Sequence, residues 1–204
     1  MREFIYNEET RIHTLDGKII PSVSNIVEPL SMDYTKAHPG KLARKKDLGI
    51  AFHECIRLFL NNDLDEDSID EELIIPMQQF REFWLDDAFK GLPLPTSMAI
   101  EHPYCNEKLR YAGKPDLVTK DCIFDWKLRK YDPVCDPLRM AGYAELISDF
   151  PTKRKVVVEF SLDAGYRVHD AHNKQAWPMF RKMLDRYWSE KEFENLCENW
   201  KKSI

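Results

Sequence analysis

The sequence predicts an α/β (α+β) fold in which a central mixed β-sheet is flanked by helices. Three observations carry this reading. Apolar residues recur at helical spacing through residues 48–59 and again from 77 to 88, the period falls towards two between 97 and 128, and a further helix, two strands and a helical C-terminus follow. Taken in order, PSVSNIVEPLS at 21–31 reads as a turn and a short helix, with Ser22 or Ser24 available as N-cap. Leu48, Phe52, Cys55, Ile56 and Phe59 mark one face of the next helix, which should end near Asn61 and Asn62. The acidic run DLDEDSIDEE at 63–72 has almost nothing to bury and is expected to be a solvated loop. Met77, Phe80, Trp84 and Ala88 mark a second helix with Pro76 in its first turn, stopped by GLPLP at 91–95.

The segments SMAIEHPYC, LRYAGKPDLVT and CIFDWKL read as three strands, and their short connections make them antiparallel neighbours. PLRMAGYAELIS at 137–148 is a helix, KVVVEFSL at 155–162 is rich enough in Val and Phe to be an interior strand, and YRVHD at 166–170 is another. In the last thirty residues Trp177, Phe180, Leu184, Tyr187 and Trp188 share one helical face, and Phe193, Leu196, Cys197 and Trp200 share another.

Residues 1–204 carry no internal repeat and no linker, which makes them one domain. It has an N-terminal helical part (20–90), an αβββαβ core (about 96–170) and a C-terminal helix (174–203). At 43% hydrophobic and 12% aromatic, the chain can fill a core. No stretch approaches the ~18 to 20 apolar residues of a membrane span, and MREFIYNEET lacks a signal core, so an intracellular protein with no membrane partner is expected. The five cysteines are odd in number and scattered, so they form neither a disulfide framework nor a metal knuckle. A net charge of -5 argues against a general nucleic-acid binder.

Chemistry concentrates in the strand region. Asp116 and Asp125 lie nine positions apart on strands joined by a tight turn. Alternation in IFDWKL sets Asp125 and Lys127 on one face and Phe124 and Trp126 on the other. A carboxylate in an apolar strand is costly unless compensated, and a divalent cation with oxygen ligands compensates it. Lys127 could then hydrogen-bond an attacking water and oppose charge developing on a phosphate. The plain alternative is an Asp–Lys ion pair with no further role.

The set Gly113-Lys114-Pro115-Asp116 and Asp125-Trp126-Lys127, within strands followed by a helix, resembles the PD-(D/E)XK nuclease superfamily. The similarity is greatest to its RecB-type branch, which includes phage exonucleases and mitochondrial genome-maintenance exonucleases. Ser22-Val23-Ser24 stands where that branch has a Ser-Val-Thr-like segment, and Gly49 to His53 matches its Gly-x-x-x-His pattern. Arg139 to Tyr143 occupies the place of a Gln-x-x-x-Tyr pattern, with arginine substituted for glutamine. The resemblance spans about residues 20–170 and implies a restriction-endonuclease-like core.

It further implies that Asp116 and Asp125 hold Mg2+ or Mn2+ with the main-chain carbonyl of Trp126, that Lys127 activates water, and that His53 joins the metal site from the helical side. Glu101 has two open readings, an added carboxylate at the metal or a residue facing solvent at a strand edge. Arg139 offers a cationic fork to phosphate; Tyr143 either meets the nucleic acid or faces the core. Lys45, Lys46, Arg129 and Lys130, with Lys41 and Arg44, are the expected DNA-binding cations, and Lys153, Arg154 and Lys155 form a further cluster.

The resemblance thus implies a metal-dependent deoxyribonuclease, in the first place an exonuclease acting on DNA ends or single strands in replication, recombination or repair. DNA is the partner, with a helicase, recombinase or single-strand-binding protein alongside, in a bacterial or phage-infected cell. An iron-sulphur cluster is not expected, because only Cys197 lies near the C-terminus. The competing readings are a non-catalytic DNA-binding module and a structure-selective endonuclease.

Overall fold

A computed structural model describes residues 2–30, 38–87, 98–147, 154–163 and 165–203. Its centre is a five-stranded mixed sheet in the order β10-β9-β8-β7-β4. The strands are β4 (Ala99–Ile100), β7 (Leu117–Val118), β8 (Cys122–Lys127), β9 (Arg154–Phe160) and β10 (Tyr166–Asp170). β8 and β9 are parallel, and the other pairings are antiparallel. The mixed sheet with flanking helices is the predicted fold class.

Alternation along β8 sorts the two helical layers. Phe124 and Trp126 pack with Phe52 and Ile56 of α2 (Pro39–Leu60) and with Met77 and Phe80 of α3 (Ile74–Glu82). Ile123, on the other face, packs with Val157 and with α1 (Val23–Val27), α4 (Cys135–Leu146) and α5 (Ala176–Ser203). Ser22 caps α1 in a reciprocal box with Asn25, as its position before an apolar run predicts. α2 ends at Leu60 with Asn61 as its cap. Phe83–Asp87 continue α3 as a π-helical turn.

Four differences from the sequence reading have physical causes. Residues 4–20 form a three-stranded antiparallel sheet of β1 (Phe4–Asn7), β2 (Ile12–Leu15) and β3 (Lys18–Ile20), which the sequence reading did not anticipate. The first two predicted strands of the core are each broken in two. Glu101 takes a positive φ of 44° after β4, and Pro115, with no N–H to donate, follows β6. The outer halves, β5 (Tyr104–Asn106) and β6 (Tyr111–Gly113), pair with each other as a separate two-stranded sheet.

The acidic run is not a free loop. Asp65 and Asp70 cap two 3-10 turns (Glu66–Ser68 and Glu71–Leu73), while Asp70 and Glu72 bind Arg44 and Glu66 binds Arg81. Finally, the C-terminal segment is one helix whose inner face is buried through Phe180 and Leu184. Phe193 and Leu196 stand exposed on it, so the second apolar face is not part of the core. The side chain of Trp200, together with Ala88, the 91–95 segment and Lys153, lies outside the described residues. No helix among the described residues is long and apolar enough to cross a membrane.

Candidate active site

The hairpin β7-β8 creates the site. Leu117 pairs with Phe124 and Val118 with Ile123. One further step in that register sets Asp116 opposite Asp125, and directly opposed residues share a face of the sheet. Past the end of β7 the ladder is completed by a side chain: the Trp126 N–H donates to Asp116 Oδ2 at 2.7 Å. The other oxygen of Asp116 lies 3.0 Å from His53 Nδ1, which α2 brings across from the helical layer. Glu101 is tied in from β4, its N–H donating to the Asp116 carbonyl at 3.0 Å.

The two aspartates are held differently. Burial by itself would raise Asp116, but His53, then Lys127 and the Trp126 N–H, outweigh it and keep the carboxyl below the usual carboxylate range. Burial dominates at Asp125, which is 2% exposed, and raises its carboxyl despite Lys127; the negative charge of Asp116 adds to the rise. Lys127 Nζ stands 2.5 Å from Asp125 Oδ2, and this charged contact opposes the rise without cancelling it. At His53 burial acts to lower the imidazole, and the charge and hydrogen bond of Asp116 reverse it to a net rise.

These groups fit a divalent cation. One ligand atom from each of His53, Glu101 and Asp116 lies within 4.8 Å of the others, and Asp125 adds a buried carboxylate beside Asp116 that is paired with Lys127. The carboxylate oxygens suit a hard cation such as Mg2+ or Mn2+, and the imidazole favours the softer Mn2+ of the two. Glu101 takes the inward course of its two readings, although it is shared with Lys114, whose Nζ lies 2.7 Å from Glu101 Oε2 and 3.3 Å from Glu8 Oε2. The side chain of Trp126 is buried among Phe80, Phe83 and Phe124.

A cleft of about 1290 Å³ opens over the carboxylates. His53, Glu101, Asp116, Asp125, Lys127, Tyr143 and Lys46 line it; Lys45, Arg129, Lys130 and Arg139 do not. Arg129 and Arg139 converge instead on Asp136, which is fully buried at the start of α4. Burial opposes ionisation of Asp136, but Arg129, with the Asp132 N–H and Lys127, outweighs it and the carboxyl is held below the usual range. The fork that the resemblance assigns to phosphate is thus occupied at Arg139 by an internal carboxylate. Arg44 is likewise taken by Asp70 and Glu72, and Arg154 and Lys155 sit opposite Cys122 and Ile123, at the end of β8 away from Lys127.

Tyr143 faces the core and also borders the cleft. It is 7% exposed and packs in the core around α4, yet it reaches the cleft, where burial, followed by the charges of Asp125 and Asp116, raises its hydroxyl strongly. Gly113 makes room for it: a Cβ there would lie 2.9 Å from the Tyr143 ring.

Sequence reasoning missed the opposite wall, which is built by Tyr6, Glu8, Arg11 and Ile12 of the N-terminal sheet with Lys114 beneath it. One signal was present. Asp16-Gly17 between two apolar stretches is a two-residue hairpin turn, and both residues take positive φ, 52° and 70°. Among known proteins, no family model matches the chain and no curated protein matches it.

Proposed function

We propose that the protein is a metal-dependent deoxyribonuclease of restriction-endonuclease-like fold, hydrolysing phosphodiester bonds at DNA ends or in single strands. The observation that carries this is the convergence of His53 from α2, Glu101 and Asp116 from the ends of β4 and β7, and Asp125 and Lys127 from β8 in one cleft. A structural ion pair would need only Asp125 and Lys127. It would not call for a second buried aspartate opposite the first, nor for a histidine on that aspartate.

In this reading His53, Asp116, Asp125 and Glu101 hold the cation. When bound, a divalent ion supplies Lewis acidity towards the phosphoryl oxygens and lowers the pKa of water. Lys127, beside Asp125, would hydrogen-bond the attacking water and oppose charge developing on the phosphate. Tyr143 closes the floor beside Asp125.

Charge along the cleft supports the same reading. Arg11, Lys46, Arg57, Lys114 and Lys127 are matched by Glu8, Glu54, Glu101, Asp116 and Asp125, five against five. The side chains of the cleft therefore give no net attraction for a phosphodiester, and DNA affinity should depend on the cation. Such a balance suits an intracellular enzyme of net charge -5 that releases its product.

End-labelled single-stranded and duplex DNA, with a closed circle for comparison, tests the proposal in Mg2+ or Mn2+. Cleavage is expected for the wild type, with a loss of at least about 100-fold in Lys127→Ala and Asp125→Asn variants that melt as folded proteins. Product sizes and the fate of the circle separate exonuclease from endonuclease. Equal cleavage by both variants would refute the assignment.

A further inference from the structure

Two lysines flank the aspartate pair, and each is already engaged. Lys127 stands two positions after Asp125 and pairs with it, whereas Lys114 stands two positions before Asp116 and pairs with Glu101. The hydrolytic reading uses Lys127 and leaves Lys114 without a role.

Lys114 is held on three sides. Its ammonium donates to Glu101 Oε2 at 2.7 Å, Glu8 Oε2 of the N-terminal sheet lies 3.3 Å away, and the centre of the Tyr6 ring lies 5.3 Å from Nζ. The side chains of Lys114 and Glu101 are 21% and 17% exposed, so solvent and salt screen their contact little. Glu8, with its side chain 71% exposed, contributes less.

Glu101 does not need this lysine to keep its place. Its N–H donates to the Asp116 carbonyl at 3.0 Å, its φ is 44°, and Ile100 just before it pairs with Leu117. The backbone therefore delivers the carboxylate beside His53 and Asp116 on its own account. What Lys114 adds is charge. A site for a hard divalent cation draws its affinity from the negative charge of its ligands, and a carboxylate already neutralised by an ammonium counts for less.

We infer that Lys114 sets the strength of the cation site by competing for Glu101, so that the cleft holds a divalent ion weakly. This rests on the reading of His53, Glu101, Asp116 and Asp125 as cation ligands and names the residue that tunes them. Lys114 acts through Glu101 and needs no contact with substrate. The consequence is a protein whose loading follows the free concentration of the ion.

The experiment is titration calorimetry of the full chain with Mn2+, without DNA, on a double-mutant cycle of Lys114 and Glu101. Lys114→Met, an unbranched apolar side chain, should bind Mn2+ about 10-fold more tightly than the wild type. Lys114→Gln should move the affinity in the same direction, which frees the result from the folding of any one variant. Lys114→Arg keeps the charge and should bind as the wild type does. Glu101→Gln should bind more weakly, and adding Lys114→Met to it should change the affinity by no more than about 2-fold. That comparison separates competition for one carboxylate from the general effect of removing a positive charge.

Lys114 variants without the charge that bind Mn2+ no more tightly than the wild type, or an equal gain with and without Glu101, would overturn the inference alone. A wild type that binds no Mn2+ would overturn it together with the cation reading. If the cycle behaves as stated and the protein cuts no DNA, the hydrolytic reading falls and the role of Lys114 stands.

Discussion

The two walls of the cleft are built on opposite principles. The floor and inner wall rest on β8, five of whose six residues are buried, backed by a cluster of Phe52, Phe80, Phe83, Trp126 and Phe160. The outer wall is a sheet of three- and four-residue strands whose own core is Leu15, Ile20 and Ala112, with Phe4, Cys105 and Trp188 partly buried around it. Ionisable groups that must be held in unfavourable positions, Asp125 above all, sit on the heavily packed side. The thin side carries no buried carboxylate, and Tyr6 and Arg11 merely border the cleft there. Fixing a buried carboxylate demands a rigid surround, whereas exposed side chains tolerate movement.

The sharpest way to break this contrast is to weaken the support of the inner wall. Asp136 anchors Arg129 and Arg139 and accepts the Asp132 N–H, so Asp136→Ala leaves two guanidinium groups without their buried partner. A loss of about 3 to 5 kcal/mol is expected in denaturant unfolding. The pH dependence has a definite sign. Because the folded carboxyl is held below its ordinary value of 3.8, its stabilisation is complete above that pH and is lost as the pH falls through the lowered folded value. Asp136→Asn should therefore flatten the acid limb of the stability curve.

A smaller effect, about 1 to 3 kcal/mol, is expected from Gly113→Ala, whose methyl would meet Leu146 Cδ1 and the Tyr143 ring at 2.9 Å. Backbone hydrogen exchange gives the mildest comparison. Amides of β2 and β3 should exchange by local opening well before those of β8 and β9, and equal protection in the two sheets would show that the walls do not differ in rigidity.

The same contrast explains what the sequence disclosed. Asp116, Asp125 and Lys127 were legible because strand alternation and a short hairpin connection together fix which side chains meet. His53 and Glu101 were reached only through the resemblance, since nothing in local periodicity ties α2 or β4 to a particular carboxylate. Charge clusters misled, because runs such as 41–46 and 129–130 do not reveal that Asp70, Glu72 or Asp136 has already claimed Arg44 and Arg129. The outer wall was illegible for a different reason. Strands of three or four residues interrupted by Asn7, Glu8, Glu9 and Thr10 give too few alternations to register, although the Asp16-Gly17 turn announced the second hairpin.

The central claim is that the buried carboxylates exist to hold a cation. Titration calorimetry with Mn2+ on the wild type and on Asp116→Ala, both in the absence of DNA, addresses it directly. The account predicts saturable binding to the wild type and its loss in the variant, whereas no binding to either protein, or identical isotherms for both, would contradict it.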